Sequence, residues 1–344
     1  MKIFYHIFLT GLLITSCKNA QVISSQAIDT DKTLYTIAFG SCNRQDSRQP
    51  LWQPILQHHP DLWIWLGDNI YADTHDMQAM EAMYLYQKSL PEYQALYGTT
   101  PVIGIWDDHD YGINDGGKYY SKKDESRDLM LDFLDVPQDA SVRNRKGGYS
   151  SYMFGKPGQQ VKVILLDTRY FRDTLETATD GIKLYKPSEE GDILGEDQWQ
   201  WLEEELANST AQIHVIGSSI QVISAEHGYE KWANFPTARQ RLFDLVASTQ
   251  AKGVFFLSGD RHIGEISKYN HPGIDYPLYD ITSSGLTHTW REAREEENPY
   301  RLGELVIALN FGVIEIDWEQ QPVEVTFSIM GENNKAYSRL STTY

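Results

Sequence analysis

The sequence predicts an α/β fold, and three of its features do so. Short apolar runs rich in Val, Ile, Leu and aromatic residues alternate with segments of helical periodicity over most of the 344 residues, the pattern of a sheet with helices laid on it. Nearly every such run ends in a compact polar group, and open α/β sheets bind their ligands at the carboxyl ends of the strands. From about residue 305 the helical segments stop and alternating strands succeed one another, as in an antiparallel set that closes a sheet.

Taken in order, strand 34–39 runs into Gly40-Ser41-Cys42, and helix 51–58 follows. Strand 62–66 ends in Gly67-Asp68-Asn69, and helix 78–88 returns the chain to strand 102–106, which ends in Asp107-Asp108-His109-Asp110. Helix 125–134 leads to strand 161–166 and its Asp167-Thr168-Arg169. Helix 196–208 carries Trp199, Leu202 and Leu206 at i, i+3 and i+7, with Glu203 to Glu205 on the wet side; this spacing assigns its indoles to the core. Strand 213–216 ends in Gly217-Ser218-Ser219, and helix 237–248 leads to strand 253–257 and Ser258-Gly259-Asp260-Arg261-His262. The closing strands are 306–309, 313–316 and 323–327. No heptad, internal repeat or Pro- or Ser-rich linker interrupts 33–330, so 33–344 is expected to be one domain.

Hydrophobic residues make up 41% of the chain, enough for a sizeable core and too many for a disordered chain. The net charge of −18 repels nucleic-acid phosphates and leaves no nucleic-acid-binding surface to expect, while an acid excess suits a chain that holds hard cations. Two cysteines exclude a disulfide-stapled scaffold. Residues 1–16 read as an export signal: Lys2 supplies the positive end, an apolar stretch covers 7–14, and small Thr15 and Ser16 precede Cys17. The apolar stretch is too short to span a membrane. Leu13-Ile14-Thr15-Ser16-Cys17 resembles a bacterial lipoprotein box, which implies lipid on Cys17, a tether over 17–32 and attachment to a periplasmic or outer-membrane face by that anchor alone; the alternative is a plain secretory signal and a soluble exported chain. With Cys17 lipidated, Cys42 is the remaining thiol, either buried and inert or bound to a metal.

The polar strand ends carry the chemistry. Asp68 and Tyr71 would share one face if a helix began after Gly67, and could hold a hard metal; the alternative is a capping Asp and a packing Tyr. Three carboxylates surround His109, an arrangement costly at a buried strand end without a cation. The natural division puts one Asp on a metal, His109 toward substrate and Asp110 on the imidazole as its orienter. Asp260 and His262, two apart in an extended segment, would point the same way as metal ligands, with Arg261 free to reach an anion. Arg169 either grips phosphate or pairs with an internal carboxylate. The acidic run Arg291 to Glu297 reads as a solvated loop or helix face.

The ordered set FGSCNRQ, WLGDNIYAD, WDDHDYG, LLDTRYFR, LGEDQWQWLEEEL and FLSGDRHIGEI resembles the alkaline phosphatase D (PhoD-like) family of metallophosphoesterases from about Phe39 to His262, and less specifically to Asn310-Phe311-Gly312. The resemblance implies a four-layer αββα calcineurin-like sandwich. It also implies hydrolysis of phosphate esters by a metal-activated hydroxide, on monoesters or on diesters of phospholipid or nucleotide type. Its implied cofactors are Fe3+ with a divalent ion, Ca2+ foremost and Zn2+, Mg2+ or Mn2+ otherwise. Carried over, Cys42, Asp68, Tyr71 and His262 hold the iron, Asp68 bridges to the divalent ion with Asp108 and Asp260, and His109 with Asp110 serves catalysis. Arg169, Arg261 and Asn69 meet the substrate. Two departures stand out: many relatives have Glu where this chain has Asp110, and many carry an N-terminal β-domain for which the stretch before Cys42 has no room. A non-catalytic metal-binding surface lipoprotein is the reading from another class, and the presence of His109 beside a full ligand set opposes it.

Overall fold

The computed structural model describes residues 26–179, 181 and 184–344, so the leader, Cys17 and part of the expected tether lie outside the described residues. Strand β2 (Leu62–Leu66) shows why this chain needs four layers: all five of its residues are buried, so both faces are covered. Its Trp63 and Trp65 meet Trp52 edge-on at 5.2 and 5.4 Å, and Trp65 lies 5.7 Å from Tyr93 and 6.3 Å from Phe133. These rings come from helices α1 (Trp52–Gln57), α3 (Pro91–Tyr97) and α5 (Lys123–Phe133), which with α2 (Met77–Ser89) form one outer layer. On the other face, a Cβ built on Gly217 would stand 3.2 Å from Leu66 Cδ2, so β2 looks across at a second sheet.

The first sheet has the order β15-β14-β13-β1-β2-β3, where β1 is Thr36–Gly40, β3 Val102–Ile105, β13 Phe311–Asp317, β14 Glu324–Met330 and β15 Ala336–Thr343. Its β1, β2 and β3 are parallel neighbours, and β13 joins β1 antiparallel. The second sheet has the order β12-β10-β11-β9-β8-β5-β4, where β4 is Ser150–Phe154, β5 Val161–Leu165, β8 Ile213–Gly217, β9 Val254–Ser258, β10 Gly264–Tyr269, β11 Leu278–Ser283 and β12 Arg301–Val306. A two-stranded ribbon, β6 (Glu176–Thr177) with β7 (Tyr185–Lys186), stands apart. Alternation along β9 divides the core: Phe255 and Leu257 join the cluster between the sheets, while Val254 and Phe256 join the cluster under α6 (Gly195–Ala207) and α7 (Pro236–Thr249). Phe255 meets Phe327 of the opposite sheet at 4.8 Å. Burial of each such side chain contributes ~1.5–3 kcal/mol.

The six strands predicted over 34–257 and the five predicted helices all form, each within a few residues of its expected ends. Trp199, Leu202 and Leu206 are buried as the helical spacing required. One closing strand is misplaced. The stretch 306–309 was expected to be a strand, but β12 ends at Val306 and residues 307–309 carry the chain from one sheet to the other. The buried Asn310 makes that crossover: its Nδ2 donates to Ala308 O, its Oδ1 accepts from Ser283 Oγ, and its N–H reaches Gly285 O.

Candidate metal centre and active site

The loops after β1, β2, β3 and β9 converge on one end of the sandwich. There the backbone leaves ordinary conformations: Cys42, Asp68, Asp73, Asp260 and His262 all have positive φ, between +41° and +66°. Non-glycine residues adopt this region at a cost and cluster in it where a site demands it. Two expectations from spacing therefore fail in their reasons. No helix follows Gly67 before Met77; Asp68 and Tyr71 meet because Asp68 turns left-handed, its Oδ2 accepting from Tyr71 O–H at 3.1 Å. Likewise Asp260 and His262 are not extended, and they serve different groups.

Three interlocked sets of donor atoms result, the atoms of each lying within 4.8 Å of one another. Cys42, Asp68 and His262 form the first, Asp68, Asp108 and His109 the second, and Asp107, Asp108 and Asp260 the third. Cys42 Sγ lies 3.4 Å from Asp68 Oδ2, and Tyr71 O–H adds a fourth donor to the first set, 3.4 Å from His262 Nε2. Asp68 and Asp108 are each shared between two sets.

Burial and mutual repulsion dominate the electrostatics. Burial first, then Asp108, raises Asp68 well above the usual carboxylate range, and burial with Asp108 lifts Asp260 to about 7. The Cys42 thiol and Tyr71 phenol are likewise pushed up by burial and by Asp68, while burial, helped by His288, lowers His262 to about 3. Asp108 is the exception: burial pushes it up, but Arg169, His109 and the Asp115 N–H hold it at about 2. This donor set fits a pair of cations. A thiol, a phenol, a carboxylate and an imidazole suit a transition metal, and the all-carboxylate third set suits a hard divalent ion. Bound cations would replace the protons that repulsion otherwise keeps on these acids.

His109 lines a cavity of about 400 Å³ together with Asp108, Asp260, Arg261 and His262. Its ring lies 4.1 Å from that of Tyr71, and its Nδ1 is 2.7 Å from Asp73 Oδ2. The carboxylate that orients the imidazole is thus Asp73, not Asp110. Asp110 points away, accepting backbone N–H groups of Asp68, Asn69 and Asp107 at 3.1, 3.2 and 2.7 Å and the Tyr84 hydroxyl at 3.3 Å. It staples the loop after β2 to the loop after β3. Burial counteracts Asp73, Asp68 and Asp108 at His109 and loses, leaving its pKa raised to about 10.

Arg169 does not reach the cavity either. It is fully buried, with Nε 2.5 Å from Asp107 Oδ1 and Nη1 2.5 Å from Glu230 Oε2; the internal ion pair is what forms. Asn69 turns inward, donating Nδ2 to Ile105 O at 3.0 Å. Arg261 does line the cavity, held between the rings of Tyr229 and Trp290 at 4.5 and 5.6 Å and paired with Glu296 at 2.5 Å. Glu296 therefore departs from the solvated run expected of 291–297, because two arginines, Arg261 and Arg301, draw it inward.

Several neighbours escaped the sequence reading. Asp73 stands only two residues past Tyr71 within the WLGDNIYAD tract, a signal that was present. His288, whose ring is 4.3 Å from His262 and 5.1 Å from Tyr71, follows no predicted strand and offered none. Asp107 stands at the N-cap of the short helix α4 (Asp108–Tyr111), and it also enters the third donor set.

Residues 37–296 match the PhoD-like phosphatase family. The chain is 23% identical over 302 residues to alkaline phosphatase D of Bacillus subtilis (strain 168), covering 76% of this chain and 51% of that protein; it spans about half the length of that curated relative. Among solved structures, it is similar to PhoD with a TM-score of 0.69 at 18% identity, over 93% of this chain and 70% of the other. It is similar to a dimetal phosphatase from Danio rerio with a TM-score of 0.58 at 15% identity, over 91% of this chain and all of the other. At such identities the two structures share the fold.

Proposed function

The chain belongs to the PhoD-like phosphatase family, and from that premise we propose that it hydrolyses phosphate esters at a metal pair. The observation that carries the proposal is the interlocking of three donor sets through Asp68 and Asp108, beside a cavity that His109 lines. Cys42, Asp68, Tyr71 and His262 would hold ferric iron; Asp108 and Asp260, with Asp68 shared, would hold a divalent ion such as Ca2+. When bound, such a pair supplies Lewis acidity at the phosphoryl oxygens and a hydroxide nucleophile.

This chain's own residues do the rest. Asp73 fixes the His109 ring through Nδ1, leaving Nε2 to carry a proton to the departing alkoxide. Arg261, braced by Tyr229, Trp290 and Glu296, lies where an equatorial oxygen can be met. Asp110 keeps the two ligand-bearing loops in register through its backbone bonds. Hydrolysis of aryl phosphate mono- and diesters, assayed with and without chelator, tests the proposal; a metal-replete protein inert toward both would overturn it. Iron held by Tyr71 predicts a visible phenolate-to-metal band, absent from Tyr71→Phe. The leader supports a separate proposal, that the exported chain is anchored by lipid on Cys17 at a periplasmic or outer-membrane face. Labelled fatty acid should enter the protein and should not enter Cys17→Ser.

A further inference from the structure

Beside the first cavity lies a second, of about 460 Å³, and Asn114 and Asp115 line both. We propose that this second cavity is the leaving-group subsite, shaped for a flat, ring-bearing, uncharged alcohol portion of the ester, with Tyr119 and Ile113 as its specificity-determining residues. The inference rests on the hydrolytic reading above.

Direction is the first argument. Both chain segments that meet at His109 run into the walls of the second cavity. Asp73, bonded to the imidazole, is two residues from His75, which lines that cavity, and Tyr120 ties the segment down by donating its hydroxyl to Thr74 O at 2.7 Å. On the other side, the Asp115 N–H donates to Asp108 Oδ2 at 2.7 Å and the Ile113 N–H reaches Asp108 O at 3.1 Å. An oxygen leaving toward His109 therefore has its alcohol portion on this side of the centre.

The lining supplies the second argument. Tyr119 is 77% exposed and Ile113 42% exposed, although the aromatic residues of this chain are mostly taken into the core. Behind them the rings of His75 and Tyr120 lie 5.0 Å apart. Large apolar groups left facing a cavity next to a reactive centre are partners for a ring of the ligand. Charge is the third argument. The cations of this cavity already have carboxylates: Lys118 is paired with Asp173 and Arg172 with Glu230. With Asp115 on its wall, the cavity suits a neutral arm and opposes a second phosphate.

The test compares phosphate release from phenyl phosphate and from methyl phosphate by the full metal-replete chain. Tyr119→Ala should lower the phenyl-to-methyl ratio of kcat/KM about five-fold, mainly through KM for the phenyl ester, as expected for one lost ring contact. Ile113→Ala should lower it less, and Tyr119→Phe should restore it. An unchanged ratio in Tyr119→Ala, or an equal loss on both esters, overturns the subsite while leaving the hydrolytic reading standing. No release from either ester by the unaltered protein overturns the subsite, and the hydrolytic reading falls with it only if aryl phosphate diesters are not hydrolysed either.

Discussion

Two groups of buried charge adjoin at the strand ends, Arg169, Arg172, Asp107 and Glu230 in one, Cys42, Asp68, Asp108 and Asp260 in the other, and they treat charge in opposite ways. In the first, two guanidinium groups meet two carboxylates at 2.5–2.7 Å, with side chains 0–1% exposed. Further Arg172 bonds go to the carbonyls of Asp173 and Gly116 at 2.7 and 2.8 Å. That group pairs opposite charges, with burial raising Asp107 and Glu230 against the pull of the arginines. In the second, acids face acids, and burial with mutual repulsion drives Asp68, Asp260 and Cys42 toward their protonated forms. Yet Asp107 belongs to the first group by its Arg169 bond and lies within ligand distance of Asp108 and Asp260. A buried ion pair completes itself during folding, whereas a buried set of like charges is complete only with a cation.

Substitutions should break the two groups differently. Asp68→Asn removes the carboxylate shared by two donor sets; metal content and hydrolysis should fall together, hydrolysis by roughly 10³-fold or more, while thermal unfolding of the metal-free protein shifts upward because the fold no longer has to hold a proton on that buried acid. A metal-free variant less stable than its parent would contradict the contrast. Arg169→Met should do the reverse. Leaving Asp107 buried without its guanidinium, and Glu230 with Arg172 alone, costs about 3–5 kcal/mol, read as a lowered denaturant midpoint, while the protein that remains folded keeps its metal.

Acid should act on a third buried group that belongs to neither. His214 on β8 has Nδ1 2.6 Å from Lys252 O and Nε2 2.7 Å from Ser209 Oγ. A carbonyl only accepts, so Nδ1 carries the proton and Nε2 accepts from the serine. Burial lowers its pKa from 6.5 to about 4. Above 6.5 the imidazole is neutral in both states and its contribution is fully present; between 6.5 and about 4 the unfolded chain binds the proton first, and about 3 kcal/mol is lost as pH falls. His214→Gln should flatten the pH dependence of stability in that window, measured on the metal-free protein by denaturant titration. The smallest effect is expected from Asp73→Asn, which loosens the His109 ring without touching a ligand: kcat should drop about 10–100-fold at unchanged metal content. Loss of metal there would put Asp73 inside the centre.

Much of this was legible along the chain. The apolar run at 62–66 announced a strand, and the i, i+3, i+7 spacing of Trp199, Leu202 and Leu206 announced a helix with one buried side. Polar groups at strand ends marked which loops would converge. Illegible from sequence were the partners of individual side chains. Arg169 and Arg261 each stand in a strand-end tract, and nothing in their neighbourhoods separates the one sealed by Asp107 and Glu230 from the one braced at the cavity by Tyr229 and Trp290. Glu230 lies 61 residues from Arg169, and Trp290 is 29 positions from Arg261, so no local pattern couples them.

Hydrophobic periodicity and turn chemistry act over a few neighbouring residues, so the alternation of strands and helices and the residue types gathered at the strands' carboxyl ends can be read from the chain alone. Tertiary structure alone decided which carboxylate orients His109, which arginine is sealed away, and how the three donor sets interlock. Those outcomes depend on left-handed backbone at Cys42, Asp68, Asp73, Asp260 and His262, a conformation held only by the packing of loops that come from distant parts of the chain.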